Sequence, residues 1–369
     1  MSTHAPSRLS HLLALFPPPR FLAMPAVGLD ISDSSVKFVE LVNRPYGKEL
    51  GMFAERDIPE GVVVNGEIVD TERLARVLAG LRRDFGLEFV RVSLPEEKGY
   101  VFQTKIARET PPDQVRGIIE FSLEENVPLS PVESVFDYEV VQSGTGAAGD
   151  HVDVNVSVYP RKIVDLYTAA IRRAGLVPLS FEVEAHAVTR AVVQNGDLGT
   201  YLIVDIGRAR TGLAIVSGGA LAFSSTLDVG GDALTVAIGK YAWVSPEKAE
   251  VMKNDRGLLR QRGDQELYAS LVATVSALRD EINRHYIYWQ GRKKPDGSPS
   301  PQIQKIVLCG GNANLAGLPE YLSSSLRVPA ERANVWVNAA PFEESVPEIG
   351  YHQSLSYATA IGLALREEN

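Results

Sequence analysis

Two stretches far apart in the chain share one design, and that repetition constrains the fold more than any other feature. Residues Val27 to Leu41 read VGLDISDSSVKFVEL, and residues Tyr201 to Gly219 read YLIVDIGRARTGLAIVSGG. In each, a short apolar run ends in Asp-Ile, crosses a few small or turn-forming residues and resumes as a second apolar run. That is the pattern of a β-hairpin with a carboxylate near its tip. Ser32, Ser34 and Ser35 in the first copy, and Gly207, Thr211 and Gly212 in the second, would let backbone N–H groups and hydroxyls come close to an anion. A single turn of this kind is an ordinary tight turn. Two of them, one in each half of the chain, are expected to face each other as a phosphate clamp. Asp30 and Asp205 would then hold a hydrated Mg²⁺ through water, because that ion favours carboxylates, water and phosphate oxygen.

The segments that follow repeat the theme. Ser225 to Ile238, STLDVGGDALTVAI, is a strand running into Gly230, Gly231 and Asp232 and then an apolar-periodic helix. A glycine pair at a helix N-terminus offers N–H donors and the positive end of the helix dipole. Lys305 to Leu318, KIVLCGGNANLAGL, is a second strand ending in such a turn at Gly310, Gly311 and Asn312, and asparagine tolerates positive φ better than most residues. Ser245 and Pro246 start a helix on which Glu250 and Lys253 lie three apart, as an ion pair or as ligand contacts. Lys37 is either a solvated strand residue or a charge directed at phosphate. Arg208 and Arg210 in the second tip, with Asp33 in the first, either grip phosphate in a bidentate fashion or pair across the cleft.

At 369 residues, 45% hydrophobic and 22% charged, the chain is long enough for two sizeable cores. Its formal charge of −9 argues against nucleic acid as a partner. The single cysteine, Cys309, lies in the strand IVLCG and reads as a small core residue. No run of 18 or more apolar residues is present to span a bilayer. Near the start, Leu9, Leu12, Leu13 and Phe16 make a short apolar stripe that Pro17 to Pro19 ends. It is either a leader with transient helix or a short docking helix for a membrane surface or partner. Thr71 to Phe85 should be a helix capped by Thr71 or Asp70, and Leu271, Val275, Leu278, Ile282, Tyr286 and Trp289 mark the buried stripe of a long helix from Leu267 to Trp289. Between Glu97 and Gly175 the order strand, helix, strand, strand, helix reads as a compact inserted α+β module.

Taken together, these residues resemble the actin-like ATPase superfamily and, within it, the PilM family of cytoplasmic type IV pilus assembly proteins. The likeness rests on a first phosphate loop (Asp30, Ser32, Ser35, Lys37), a helix start at Glu184, a second phosphate loop (Asp205, Gly207, Thr211), Gly230-Gly231-Asp232, the segment Ala249 to Lys253, and an adenosine loop at Gly310-Gly311. It covers nearly everything from Val27 onward. The resemblance implies an α/β actin-like fold, two lobes with related five-stranded mixed sheets flanked by helices, and an inserted 1C (SHS2-like) subdomain. The expected boundaries are a tail at 1–26, the first lobe at 27–96 and 176–197, the inserted subdomain at 97–175, the second lobe at 198–239 and 302–369, and a helical subdomain at 240–301. ATP and Mg²⁺ are the implied cofactors. Glu184 would stand near the metal's water shell, while Glu250 and Lys253 would border ribose and base. The implied partner is the N-terminal peptide of a PilN-like membrane protein within a PilN/PilO platform at the inner face of the cytoplasmic membrane. Its groove is expected near Tyr100 to Ile106 and Ile118 to Leu123. No side chain stands out to orient a hydrolytic water, so turnover should be slow or absent. An FtsA-like filament with peripheral membrane contact and self-association, or a sugar kinase, are the alternatives within the superfamily.

Overall fold

The structure, a computed structural model, describes residues 24–140, 150–259, 265–293 and 298–366. The stripe at Leu9, Leu12, Leu13 and Phe16 and the loop at 143–149 lie outside the described residues. The first repeated stretch forms β1 (Ala26–Ile31) and β2 (Ser35–Arg44), and β3 (Gly47–Asp57) continues the antiparallel meander. A two-residue turn then joins β4 (Val63–Val64) to β5 (Glu67–Ile68). Helix α1 (Thr71–Phe85) starts where Asp70 accepts the N–H of Arg73 at 2.9 Å, and it buries Leu74, Leu78 and Leu81. β6 (Phe89–Leu94) lies parallel to β1.

An inserted module follows. It contains β7 (Tyr100–Ala107), α2 (Pro112–Asn126), β8 (Ser134–Val140) and β9 (His151–Pro160). Its sheet runs β7-β9-β8 and its own small core holds Ile106, Ile119, Leu123, Val154, Val156 and Val158. Helix α3 (Arg161–Arg173) leads back through β10 (Val177–Val183), which joins the first sheet parallel to β6, to α4 (Glu184–Val192).

The second sheet repeats the first strand for strand. β11 (Thr200–Ile206), β12 (Thr211–Ser217) and β13 (Ala220–Leu227) form an antiparallel meander, and β14 (Lys305–Cys309) and β15 (Ala330–Arg332) add in parallel. The orders are β3-β2-β1-β6-β10 and β13-β12-β11-β14-β15, so each lobe places its first strand third from the same edge. Helices α5 (Gly231–Ala242), α6 (Pro246–Arg256) and α7 (Gln265–Gly291) form the excursion between β13 and β14. On α7, Leu271, Val275, Leu278, Ile282 and Trp289 are buried, and Tyr286 packs partly against them. The Cys309 side chain is buried as a core residue.

After α8 (Leu318–Leu326) and the single turn α9 (Tyr351–Ser354), helix α10 (Ala358–Leu365) is buried along its whole length. It leaves the second lobe and packs on α4 and β1 of the first. The approach to α4 is close: a Cβ on Gly362 would lie 1.7 Å from the carbonyl oxygen of Ala187. Lys48 of β3 donates to the Leu365 carbonyl at 2.7 Å and fastens the helix end to the first sheet.

Candidate functional site

The repeated topology puts the two aspartates at the same place in each lobe, the penultimate residue of the third strand from the edge. Asp30 pairs across β1 and β2 with Lys37, and Asp205 across β11 and β12 with Gly212. Both carboxylates line one cleft between the lobes, together with Ser32, Ser34, Glu184 and Gly207. Its volume is about 140 Å³. Ser93 of β6 donates to Asp30 Oδ1 at 3.0 Å, and the Thr359 hydroxyl donates to Glu184 Oε1 at 3.3 Å.

Burial is the main electrostatic fact of this cleft. It raises the Asp30 carboxyl pKa above the ordinary range, with Lys37 and Ser93 opposing. Burial and then the charge of Asp30 push Asp205 up to about 7. Burial, followed by Asp30 and Asp205, pushes Glu184 well above the usual carboxylate value. Like charges drawn into one water-poor space disfavour each other's ionised forms, and a cation placed among them would reverse that. Among the described residues no three His, Cys, Asp or Glu side chains converge to ligate an ion directly.

Ser32 lines the cleft, but its neighbours Ser35 and Lys37, and Thr211 of the second tip, do not. Ser32 Oγ donates to the Ser35 carbonyl at 3.0 Å. The Lys37 ammonium donates to Ser35 Oγ at 3.0 Å and pairs with Glu55 at 3.2 Å, so it is held within its own sheet. Thr211 is wholly buried and its hydroxyl donates to the Val229 carbonyl at 2.7 Å, which removes it as an anion donor. The helix start at Gly230, Gly231 and Asp232 is not open either. The Gly231 and Asp232 N–H groups donate to the carbonyls of Gly207 and Arg208, at 3.1 and 2.9 Å, and Asp232 pairs with Arg208 at 3.2 Å. These N–H groups brace the second tip where phosphate contact was expected.

The remaining expected residues form one polar network against that tip. Asn312 Nδ2 donates to the Gly207 carbonyl at 2.8 Å, and Asn312 Oδ1 accepts from Lys253 Nζ at 2.8 Å. Buried Lys253 also donates to Glu250 Oε2 at 2.7 Å, which Thr235 Oγ1 reaches at 2.5 Å. Gly310 adopts φ 81°, and a Cβ there would meet Asp205 Oδ1 at 2.3 Å. Only glycine lets β14 end beside that carboxylate. Gly311 opens the short 3-10 turn Gly311–Asn314 that presents Asn312.

Sequence analysis missed Gly66, Ser93, Glu96 and Glu97, which line the cleft, and Asn65 beside them. Asn65 and Gly66, at φ 52° and 69°, form the turn between β4 and β5. Asn-Gly flanked by apolar residues is a strong hairpin signal that was available to find them. Glu96 and Glu97 sit in a 3-10 turn directly after β6. Glu96 is buried and its Oε1 has no hydrogen-bond partner among the described residues. Burial, then the charges of Asp205 and Glu97, push its carboxyl to about 8 against hydrogen bonds from Ser224 and Ser225. No local sequence pattern marks an acid that is buried only by tertiary packing.

The family model for the type IV pilus assembly protein PilM matches residues 28–368. In structure the chain is similar to the PilM-PilN type IV pilus biogenesis complex, with TM-score 0.75 and 24% identity over 92% of this chain and 98% of that one. It is also similar to the ethanolamine utilization protein EutJ from Carboxydothermus hydrogenoformans, with TM-score 0.54 and 17% identity over 95% and 90% of the two chains. In sequence it is 25% identical to the cell division protein FtsA of Streptococcus pneumoniae over 331 residues, 79% of this chain and 72% of that protein. The two matched five-stranded sheets flanked by helices are the actin-like ATPase fold, and with a family match over nearly the whole sequence the chain belongs to the PilM family of type IV pilus assembly proteins.

Proposed function

We propose that the chain is an ATP-binding scaffold of pilus assembly, working with Mg²⁺ at the inner face of the cytoplasmic membrane. It holds the N-terminal peptide of a PilN-like membrane protein that belongs to a PilN/PilO platform. The observation that carries this proposal is a wall shared by two cavities. A groove of about 310 Å³ lies between the inserted module and the first lobe, with Phe136 and Tyr138 of β8 on one side and Leu179 and Phe181 of β10 on the other. On β6, Ser93 turns into the cleft and Leu94 into the groove; on α4, Glu184 faces the cleft and His186 the groove. Successive strand residues point to opposite faces, so one shift of β6 or of the first turn of α4 alters both cavities.

The groove suits an extended peptide because both flanking strands are sheet edges, β8 in the module and β10 in the first sheet. An added strand could satisfy either edge while its alternate side chains enter the apolar floor. The expected walls at Tyr100 to Ile106 and Ile118 to Leu123 do not line this cavity. His186 stands 3.4 Å from Ser157 Oγ, and burial lowers its pKa, so it contributes a neutral ring to the groove at neutral pH. In the cleft, Asp30 and Asp205 would hold the hydrated Mg²⁺, which supplies charge neutralisation for phosphate when bound. A ligand touching both lobes favours the closed arrangement by its differential affinity, and by linkage a peptide in the groove must change nucleotide affinity by the same factor. Slow or absent hydrolysis is part of this reading, because no side chain stands out in the sequence as a dedicated water-positioning group.

The test is retention of the full chain on an immobilised synthetic PilN-like N-terminal peptide, with and without Mg-ATP. The expected result is capture that differs several-fold between the two conditions and is lost in Phe136→Glu and Phe181→Glu. Equal capture by the groove variants would sink the peptide assignment. A pelleting assay with Mg-ATP addresses filament formation, which the likeness to FtsA raises.

A further inference from the structure

The tip of the second hairpin sends one side chain into the opposite lobe. Arg210 precedes β12, yet its guanidinium is held by three segments of the first lobe. Nη2 donates to Asp33 Oδ2 at 3.0 Å in the first tip and to Asn65 Oδ1 at 2.5 Å in the Asn-Gly turn. Nη1 donates to Glu97 Oε1 in the turn after β6. From its own lobe, among the described residues, Asp228 pairs with it at 3.6 Å from Nε and is itself exposed. The Arg210 side chain is 17% exposed. Asp33 is also held from its own lobe, where the N–H groups of Gly66 and Asn65 donate to its two oxygens at 2.9 and 3.1 Å.

Asp33, Gly66, Glu97 and Arg210 all line the cleft, so this junction ties its two sides together. Closed around it, the cleft has about 140 Å³, whereas pockets for small ligands run to roughly 300 Å³ or more. Admission of a nucleotide requires the lobes to part at this point. A guanidinium bound by two carboxylates in a partly dry site makes strong, geometrically defined hydrogen bonds, and phosphate oxygens accept from the same fork.

We propose that Arg210 is a two-position latch, which ties the second tip to Asp33 and Glu97 and transfers to the phosphate chain of a nucleoside polyphosphate entering the cleft. This rests on the cleft being the nucleotide site. The two lobe-one carboxylates and the incoming anion compete for one cation, so the latch sets an affinity penalty that only a multiply charged phosphate overcomes. Neutralising the lobe-one acceptors favours the anion. Removing the arginine abolishes the competition itself.

The experiment is a double-mutant cycle on the full chain, titrating a fluorescent ATP analogue with Mg²⁺ and, in parallel, inorganic tripolyphosphate. Asp33→Asn with Glu97→Gln removes both negative charges while keeping one side-chain oxygen at each position, at Asp33 the acceptor of the Gly66 amide, and is expected to tighten both ligands by about tenfold. In an Arg210→Ala background the same pair of changes is expected to alter affinity less than about twofold. Equal tightening in both backgrounds, or none in the first, overturns the latch. Cleft opening is read separately, without ligand, from the distance between spin labels on the two lobes. That distance should lengthen in Arg210→Ala and to a smaller extent in Arg210→Lys, and an unchanged distance in both variants also overturns the proposal. If wild type bound neither probe while Arg210→Ala still opened, the nucleotide assignment of the cleft would fail, and with it the phosphate half of the latch.

Discussion

The two hairpin tips are built on one plan and differ in what surrounds their aspartates. At the first, Asp30 has a hydroxyl donor in Ser93 and an ammonium nearby in Lys37. At the second, the position beside Asp205 on the parallel strand is Cys309, followed by Gly310 packed against the carboxylate. Asp30 has both groups that oppose its raised pKa in its own sheet, whereas the rise at Asp205 is opposed only by the Lys37 charge from the other lobe. The difference shows that topological equivalence fixes where a group stands, whereas its protonation is set by a handful of neighbours.

The largest effect separates shared from divided roles. Asp205→Ala and Asp30→Ala are each expected to abolish the thermal shift produced by Mg-ATP, a stabilisation of about 2.7 kcal/mol at a hundredfold excess over Kd, while circular dichroism stays native. A response in Asp205→Ala equal to wild type would break the equivalence of the tips. Next in size, Gly310→Ala should destabilise the free protein by roughly 2 kcal/mol, because it adds strain at positive φ and a clash with Asp205. The counterpart on β6 is already Leu94, so substituting a residue of similar volume there should cost much less. Chemical denaturation of both variants makes the comparison.

The smallest effect is a slope. Glu96 and Asp205 have folded pKa values of about 8 and about 7, above their ordinary 4.5 and 3.8. A raised carboxyl binds its proton more tightly in the folded state, so the stability it confers is complete at low pH and is lost as pH climbs through the folded value. The melting temperature without nucleotide should therefore fall between about pH 4 and 8 from these groups. Glu96→Gln should flatten the upper part of that fall, and an identical pH profile in the variant would show that Glu96 does not titrate there.

Much of the scaffold was legible because it follows local periodicity. Helix Thr71–Phe85 and its Asp70 cap, and the buried stripe from Leu271 to Trp289, come straight from the spacing of apolar residues. The site was legible only in part. The chain positions of Asp30 and Asp205 could be read, but the state of Thr211 depends on its facing the core, and the Gly231 and Asp232 N–H groups are claimed by a tip 24 residues earlier in sequence. The cavity between the module and the first lobe was not legible for a similar reason. Sequence gives the strands of the module, but not that β8 rather than β7 forms the edge lining the groove beside the first lobe. For Arg210, both alternatives were open, and the acceptors that decide between them come from three separate segments.

Helix α10 has a consequence for how the molecule is made. Its end is fastened to β3 by a bond spanning 317 residues of sequence, and its buried face completes the packing over β1 and α4. During synthesis the N-terminal lobe therefore leaves the ribosome with an apolar surface that α10 covers only after the second lobe has been made. A chain truncated just before Ala358 would expose that surface permanently, so loss of α10 should be felt in the other lobe, as aggregation of the half that was made first.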